Sequence, residues 1–167
     1  MIDGPRWNPA LADWIASMGG LDHILLTHRD DVADAKTYAE HFGSRVWIHE
    51  ADASSAPFAT DIMRGAEPAG PGRQIKVLFV PGHTRGSVMY LFDDRTLFTG
   101  DSLAWDSETG KLRAYEEYCW YNWRKQLQSL RALREETFSR IFAGHGESVD
   151  LTTPEMKAAL DEFLLTC

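Results

Sequence analysis

Three short strand-like runs in this chain each end in a metal-type ligand beside glycine. They deliver His83 in Pro81-Gly82-His83-Thr84, Asp101 in Thr99-Gly100-Asp101 and His145 in Ala143-Gly144-His145-Gly146. A strand fixes where such a ligand starts, and glycine lets the backbone turn sharply and approach an ion closely. This is how distant stretches of a chain are brought to one metal centre. Histidine offers a neutral nitrogen and aspartate a hard anionic oxygen, a mixture that suits Zn, Fe or Mn rather than a thiolate site. A fourth cluster lies upstream, Leu26-Thr27-His28-Arg29-Asp30-Asp31-Val32-Ala33-Asp34-Ala35.

The rest of the chain supplies helices and strands in alternation. Asn8-Pro9 followed by Leu11, Trp14, Ile15 and Met18 reads as a capped helix that Gly19-Gly20 ends. Ile24-Leu25-Leu26 reads as a buried strand. Val32, Ala35, Tyr38, Ala39 and Phe42 have helical spacing from Asp31 onward, with Gly43 as the stop. Strands are predicted over 45–48, 75–80, 87–92, 96–99 and 140–142, with Asp93-Asp94-Arg95 as a hairpin turn. Residues 51–72 read as a surface loop with one helical turn. Helices are predicted over 120–134 and from Thr153-Pro154 onward, the latter with Met156, Leu160, Phe163 and Leu164 inward. This alternation implies an α/β domain with helices packed on a mixed sheet.

The four clusters together resemble the metallo-β-lactamase superfamily of metallohydrolases, over roughly residues 22–150. In that superfamily the PGHT histidine serves a first metal, the GD aspartate bridges two, and the GHG histidine serves a second. The resemblance therefore implies an αββα sandwich, here one domain over 1–167. It also implies a metal set of His28, Asp30, Asp34, His83, Asp101 and His145, with Asp34, Asp101 and His145 as catalytic groups. The cofactor expected is Zn, or alternatively Fe or Mn, as one or two ions. A metal-bound hydroxide would attack a small ester, thioester or lactone.

The sequence also departs from the superfamily. Its first motif is HxHxDH. Anchored on Leu26-Thr27, the motif keeps His28, has Asp30 for the second histidine, and is displaced so that Asp34-Ala35 stands for Asp-His. Anchored from the other end, it reads Asp30, Val32, Asp34 and Ala35. Both registers leave Ala35 where a histidine would be. A histidine restored at 35 is accordingly expected to strengthen the second metal site. Only residues 1–26 precede Thr27, where several strands normally come first. The expected fold is thus a sandwich with an incomplete N-terminal sheet, shortened at its N-terminus. Two readings of function stay open: a metallohydrolase, and a catalytically weakened or inactive scaffold of the same fold. A redox diiron role would need a flavin partner domain that this chain does not encode.

Composition excludes some partners. The formal charge is −8, which argues against a nucleic-acid backbone as ligand. No run approaches the ~20 apolar residues that span a bilayer, and the first residues have no apolar signal core. A small-molecule substrate, no nucleic acid, no membrane, and pairing between copies through an exposed sheet edge are the expected partners. Two cysteines, Cys119 and Cys167, make no disulfide framework, and a cytoplasmic setting is the default. His23, His41 and His49 lie outside any motif and read as structural. Asp30 and Asp31 are also placed to cap the following helix. Trp105, Tyr115, Tyr118, Trp120, Tyr121 and Trp123 divide among cleft, core and rim.

Overall fold

The computed structural model describes residues 1–166; Cys167 lies outside the described residues. In chain order the elements begin with α1 (Pro9–Ser17), β1 (His23–Leu25), α2 (Ala35–Phe42), β2 (Arg45–His49) and β3 (Asp61–Met63). Next come β4 (Ile75–Phe79), β5 (Val88–Phe92), β6 (Thr96–Gly100), β7 (Ala104–Asp106) and β8 (Lys111–Arg113). The chain closes with α3 (Trp123–Arg131), β9 (Arg140–Ala143), β10 (Val149–Asp150) and α4 (Thr153–Leu165).

Caps set the helix limits. The Asn8 side chain accepts from Ala10 N and Leu11 N at the start of α1. Thr152 and Glu155 form a reciprocal capping box on α4, and Gly43 ends α2 in the left-handed region at φ 70°. Two predicted helices start late. α2 begins at Ala35 rather than Asp31, because Ala33 takes φ 34° and breaks the helical path. α3 begins at Trp123 rather than residue 120, with Asn122 as its cap. The predicted loop over 51–72 contains β3, a three-residue strand too short to show a period. The β7–β8 hairpin was likewise not evident in the pattern.

Two main sheets stack face to face. β1, β2 and β3 form a parallel sheet in that order. The second sheet has the order β10-β9-β6-β5-β4. Its pairings are antiparallel except β6 with β9, so β4, β6 and β9 all point the same way. Three apolar clusters define four layers. Ala12, Ile15, Ala35 and Tyr38 of α1 and α2 pack on Ile24, Val46 and Ile48 of the first sheet. Leu25 and Met63 meet Val77, Val88 and Tyr90 between the sheets. Leu130, Met156, Leu160 and Phe163 cover Met89, Leu91, Leu97 and Ile141 on the far face of the second sheet. The order is α, β, β, α. Each buried valine, leucine, isoleucine, methionine or phenylalanine among these stabilises the stack by about 1.5–3 kcal/mol.

The first sheet has one further contributor. Ile2 bridges to Leu25 in parallel, and Leu25 N donates to Met1 O while Asp3 N donates to Leu25 O. The helix beside it is only half covered: Trp14 and Met18 are exposed. Cys119 is a free, half-buried thiol whose Sγ donates to Gly82 O. Among the described residues no helix is long and apolar enough to cross a membrane.

Candidate metal centre

The sandwich brings the four glycine-flanked segments to one edge. His83, Asp101 and His145 follow β4, β6 and β9, whose C-terminal ends share one side of the second sheet. His28 follows β1 and is carried to the same edge by bonds between the sheets. Tyr90 Oη donates to Leu26 O at 2.8 Å, and Val88 N donates to Thr27 O at 2.8 Å. Two glycines are fixed by close approach. A Cβ at Gly100, which sits at φ 51°, would lie 2.6 Å from Thr27 Oγ1. A Cβ at Gly82 would lie 2.2 Å from Gln126 Cα, so only glycine lets α3 pack on the His83 loop.

His28 Nε2 and His83 Nε2 point at one carboxylate oxygen. Asp101 Oδ2 lies 3.6 Å from the first and 3.7 Å from the second. Asp30 Oδ2 stands 3.9 Å and 3.6 Å from the same two nitrogens. A tetrahedral ion with bonds of about 2.0–2.2 Å requires ligand atoms about 3.3–3.6 Å apart. The donor atoms of His28, His83 and Asp101 all lie within 4.8 Å of one another. Both histidines are buried, and each Nε2 has no hydrogen-bond partner among the described residues. A second group shares Asp101: donor atoms of Asp31, Asp101 and His145 also fall within 4.8 Å of one another. His145 Nδ1 is 2.9 Å from Asp101 Oδ1, and its side chain is exposed.

The surroundings orient these rings. Thr27 Oγ1 is 2.9 Å from His28 Nδ1 and 2.9 Å from Asp3 Oδ2, and Thr27 N donates to Asp3 Oδ1 at 2.7 Å. Burial drives the Asp3 carboxyl up to about 7 against the pull of its Thr27 bonds, and the charges of Asp31 and Asp101 add to the rise. Burial also holds the His83 imidazole below its ordinary value, helped by His28, while Asp101, Asp30 and a hydrogen bond to the Tyr118 backbone oppose it. His145 is raised, first by its hydrogen bond to Asp101. The buried Asp52 carboxylate accepts from Arg29 N (3.2 Å), Thr84 Oγ1 (2.5 Å) and Gly86 N (3.1 Å), and so ties the His28 loop to the His83 loop. The β7–β8 hairpin holds the third loop through Trp105 N donating to Glu147 O.

Of the six ligands expected, five converge: His28, Asp30, His83, Asp101 and His145. Asp34 does not. Its Oδ2 accepts from Trp7 N at 2.7 Å, so it anchors the N-terminal segment instead of facing the cluster. The turn at Ala33 is the cause, since it carries residue 34 off the loop that Asp30 and Asp31 occupy. Asp31, read from sequence as a possible helix cap, stands in its place beside Asp101 and His145. Ala35 is fully buried, and its Cβ abuts Gly4 within the helix-side apolar cluster. Position 35 therefore faces the core, and the expectation for a histidine there is reversed. Asp3 and Asp52 were missed. Asp52 sits in a stretch read as loop, and nothing in its immediate sequence signals the three bonds it accepts.

No family model matches the chain. The hydroxyacylglutathione hydrolase of Acidiphilium cryptum (strain JF-5) is 34% identical over 133 residues, 78% of this chain and 52% of the relative. The solved structure of BLEG-1 B3 metallo-beta-lactamase matches with a TM-score of 0.72 at 20% identity, over 98% of this chain and 87% of that one. The chain has the metallo-β-lactamase fold. Another structural neighbour is TTHA1623 in a di-iron-bound form, with a TM-score of 0.62 and 24% identity over 93% of this chain and 86% of that one. The chain spans about half the length of the curated superfamily relatives it matches.

Proposed function

We propose that this protein is a metal-dependent hydrolase of a small ester or thioester. The observation that carries the reading is the pair of buried, unpartnered Nε2 atoms aimed at one carboxylate oxygen. Above about pH 7, where Asp3 is ionised, its carboxylate accepts the only proton of Thr27 Oγ1, so Thr27 accepts from His28 Nδ1–H and leaves a lone pair on Nε2. His83 Nε2 is likewise buried with no partner among the described residues, and burial holds its imidazole below its ordinary value, which favours the neutral ring. Two nitrogen lone pairs and a carboxylate thus face one point with no proton between them. Leaving each buried acceptor unpaired costs about 1–3 kcal/mol. A cation at that point satisfies all of them.

His28, His83 and Asp101 would hold the ion, with Asp30 as the fourth donor; Asp31, Asp101 and His145 would hold a second, more exposed one. The donor set suits Zn, Fe or Mn. Bound there, the ion supplies a Lewis acid and lowers the pKa of water to about 7. The chain's own part is to orient. Thr27 fixes the His28 ring, Asp101 reaches both ligand groups, and Asp52 holds the two loops in register. The name of the relative from Acidiphilium cryptum favours a thioester among the superfamily's substrates. The acidic balance disfavours nucleic acid.

The reading is tested by metal analysis of protein purified without chelators. We expect about one tightly held ion per chain, lost in His83→Ala, with a weaker second ion. Protein that takes up none of Zn, Fe or Mn at micromolar concentration would instead be the inert scaffold.

A further inference from the structure

A cavity of about 720 Å³ opens directly over the centre, lined by Tyr115, Tyr118 and Trp120 on one wall and by Asp30, Asp31 and Asp101 on the metal side. Trp120 and Tyr118 are 60% and 59% exposed, an unusual amount of bare aromatic surface to hold beside a site. The wall is built in place. Trp120 N donates to His83 O at 3.0 Å, and Asn122 N donates to Gly82 O at 2.9 Å. The aromatic segment is therefore clamped by main-chain bonds to the loop that carries a central histidine.

Charge restricts what can enter. No lysine or arginine is among the described residues that line this cavity. The basic residues of the flanking segments are each paired. Arg29 pairs with Asp30 on the metal side, Arg113 pairs with Asp106 and lies over the Tyr115 ring at 4.9 Å, and Arg85 lies over the Tyr121 ring at 5.2 Å. Asp30, Asp31 and Asp101 offset most of the charge that one or two divalent ions would bring. An anionic substrate would find no unpaired cation lining the cavity beyond the metal, whereas a flat uncharged group would bury the bare rings.

We propose that the cavity selects an uncharged ester or thioester bearing an aromatic or bulky apolar group, and discriminates against anionic substrates such as glutathione thioesters. This rests on the hydrolase reading above. In the reaction, water adds at the acyl carbon and the C–S or C–O bond breaks. The acyl group leaves as a carboxylic acid, and the thiol or alcohol takes the proton.

The test uses the full chain loaded with zinc and two thioesters, S-phenylacetyl-N-acetylcysteamine and S-lactoylglutathione. We expect kcat/KM to favour the neutral aryl thioester by about tenfold or more, the scale of one buried aromatic contact. Binding is read separately by calorimetry with the amide analogue N-(2-acetamidoethyl)phenylacetamide. Its affinity should fall about tenfold in Trp120→Ala and be largely retained in Trp120→Phe. Neither substitution touches the backbone bond to His83 O. Preference for the glutathione thioester, or unchanged affinity of the analogue in Trp120→Ala, overturns the proposal. If zinc is bound and neither thioester is cleaved, the hydrolase reading fails, and the analogue titration still decides whether the aromatic wall is a binding site.

Discussion

Asp52 shows how much of a metal site can rest on a side chain that would never touch the metal. Its carboxylate accepts three hydrogen bonds from the loops of His28 and His83, and it is buried. Partners of this kind typically contribute 10–100-fold to metal affinity. We expect Asp52→Ala to weaken zinc binding by about that factor, and to destabilise the metal-free fold by about 2–3 kcal/mol through the unpaired donors it leaves. Metal titration and urea unfolding check the two parts separately. Ala35 gives the opposite lesson. Because its Cβ abuts Gly4 in a closed apolar cluster, Ala35→His should add no second-ion affinity and should cost about 1–3 kcal/mol by overpacking. A stable variant with a tighter second ion would show that position 35 faces the centre after all.

At the scale of elements, the glycine-flanked strand ends were legible because each is a local device. A short apolar run, a sharp turn and a ligand lie within a few residues of one another. The final helix was legible for the same reason, since Thr153-Pro154 announces its start and Met156, Leu160, Phe163 and Leu164 its buried face. The loop over 30–34 was not. Its path depends on Ala33 at positive φ and on Asp34 bonding Trp7 N, a partner 27 residues away that no local pattern reveals. β3 was hidden because its three residues are defined by pairing with β2 rather than by a period of their own. The segment flanking β1 carries a pH signature. Asp3 has its pKa raised to about 7 in the fold, against about 4 when unfolded. The fold binds that proton more tightly than the unfolded chain does, so this contribution is fully present below about pH 4. It is lost as pH rises towards about 7 and is flat above. We expect unfolding of metal-free protein to show that decline, and Asp3→Asn to remove it. A decline that survives the substitution would assign it to another group.

The whole molecule is a machine for convergence. Stacking a parallel three-stranded sheet on a mixed five-stranded one places the ends of β1, β4, β6 and β9 at one edge, and the layer of Leu25, Met63, Val77, Val88 and Tyr90 fixes how the sheets meet. The helices on the outer faces supply the burial that holds this arrangement, and they take no direct part in the centre. Everything argued about chemistry follows from that one juxtaposition, so the decisive measurement is positional. Crystals soaked in zinc and measured at the zinc absorption edge should show an anomalous peak about 2.0–2.2 Å from His28 Nε2, His83 Nε2 and an oxygen of Asp101. No peak among these residues, or zinc bound only at surface side chains elsewhere, would contradict the account.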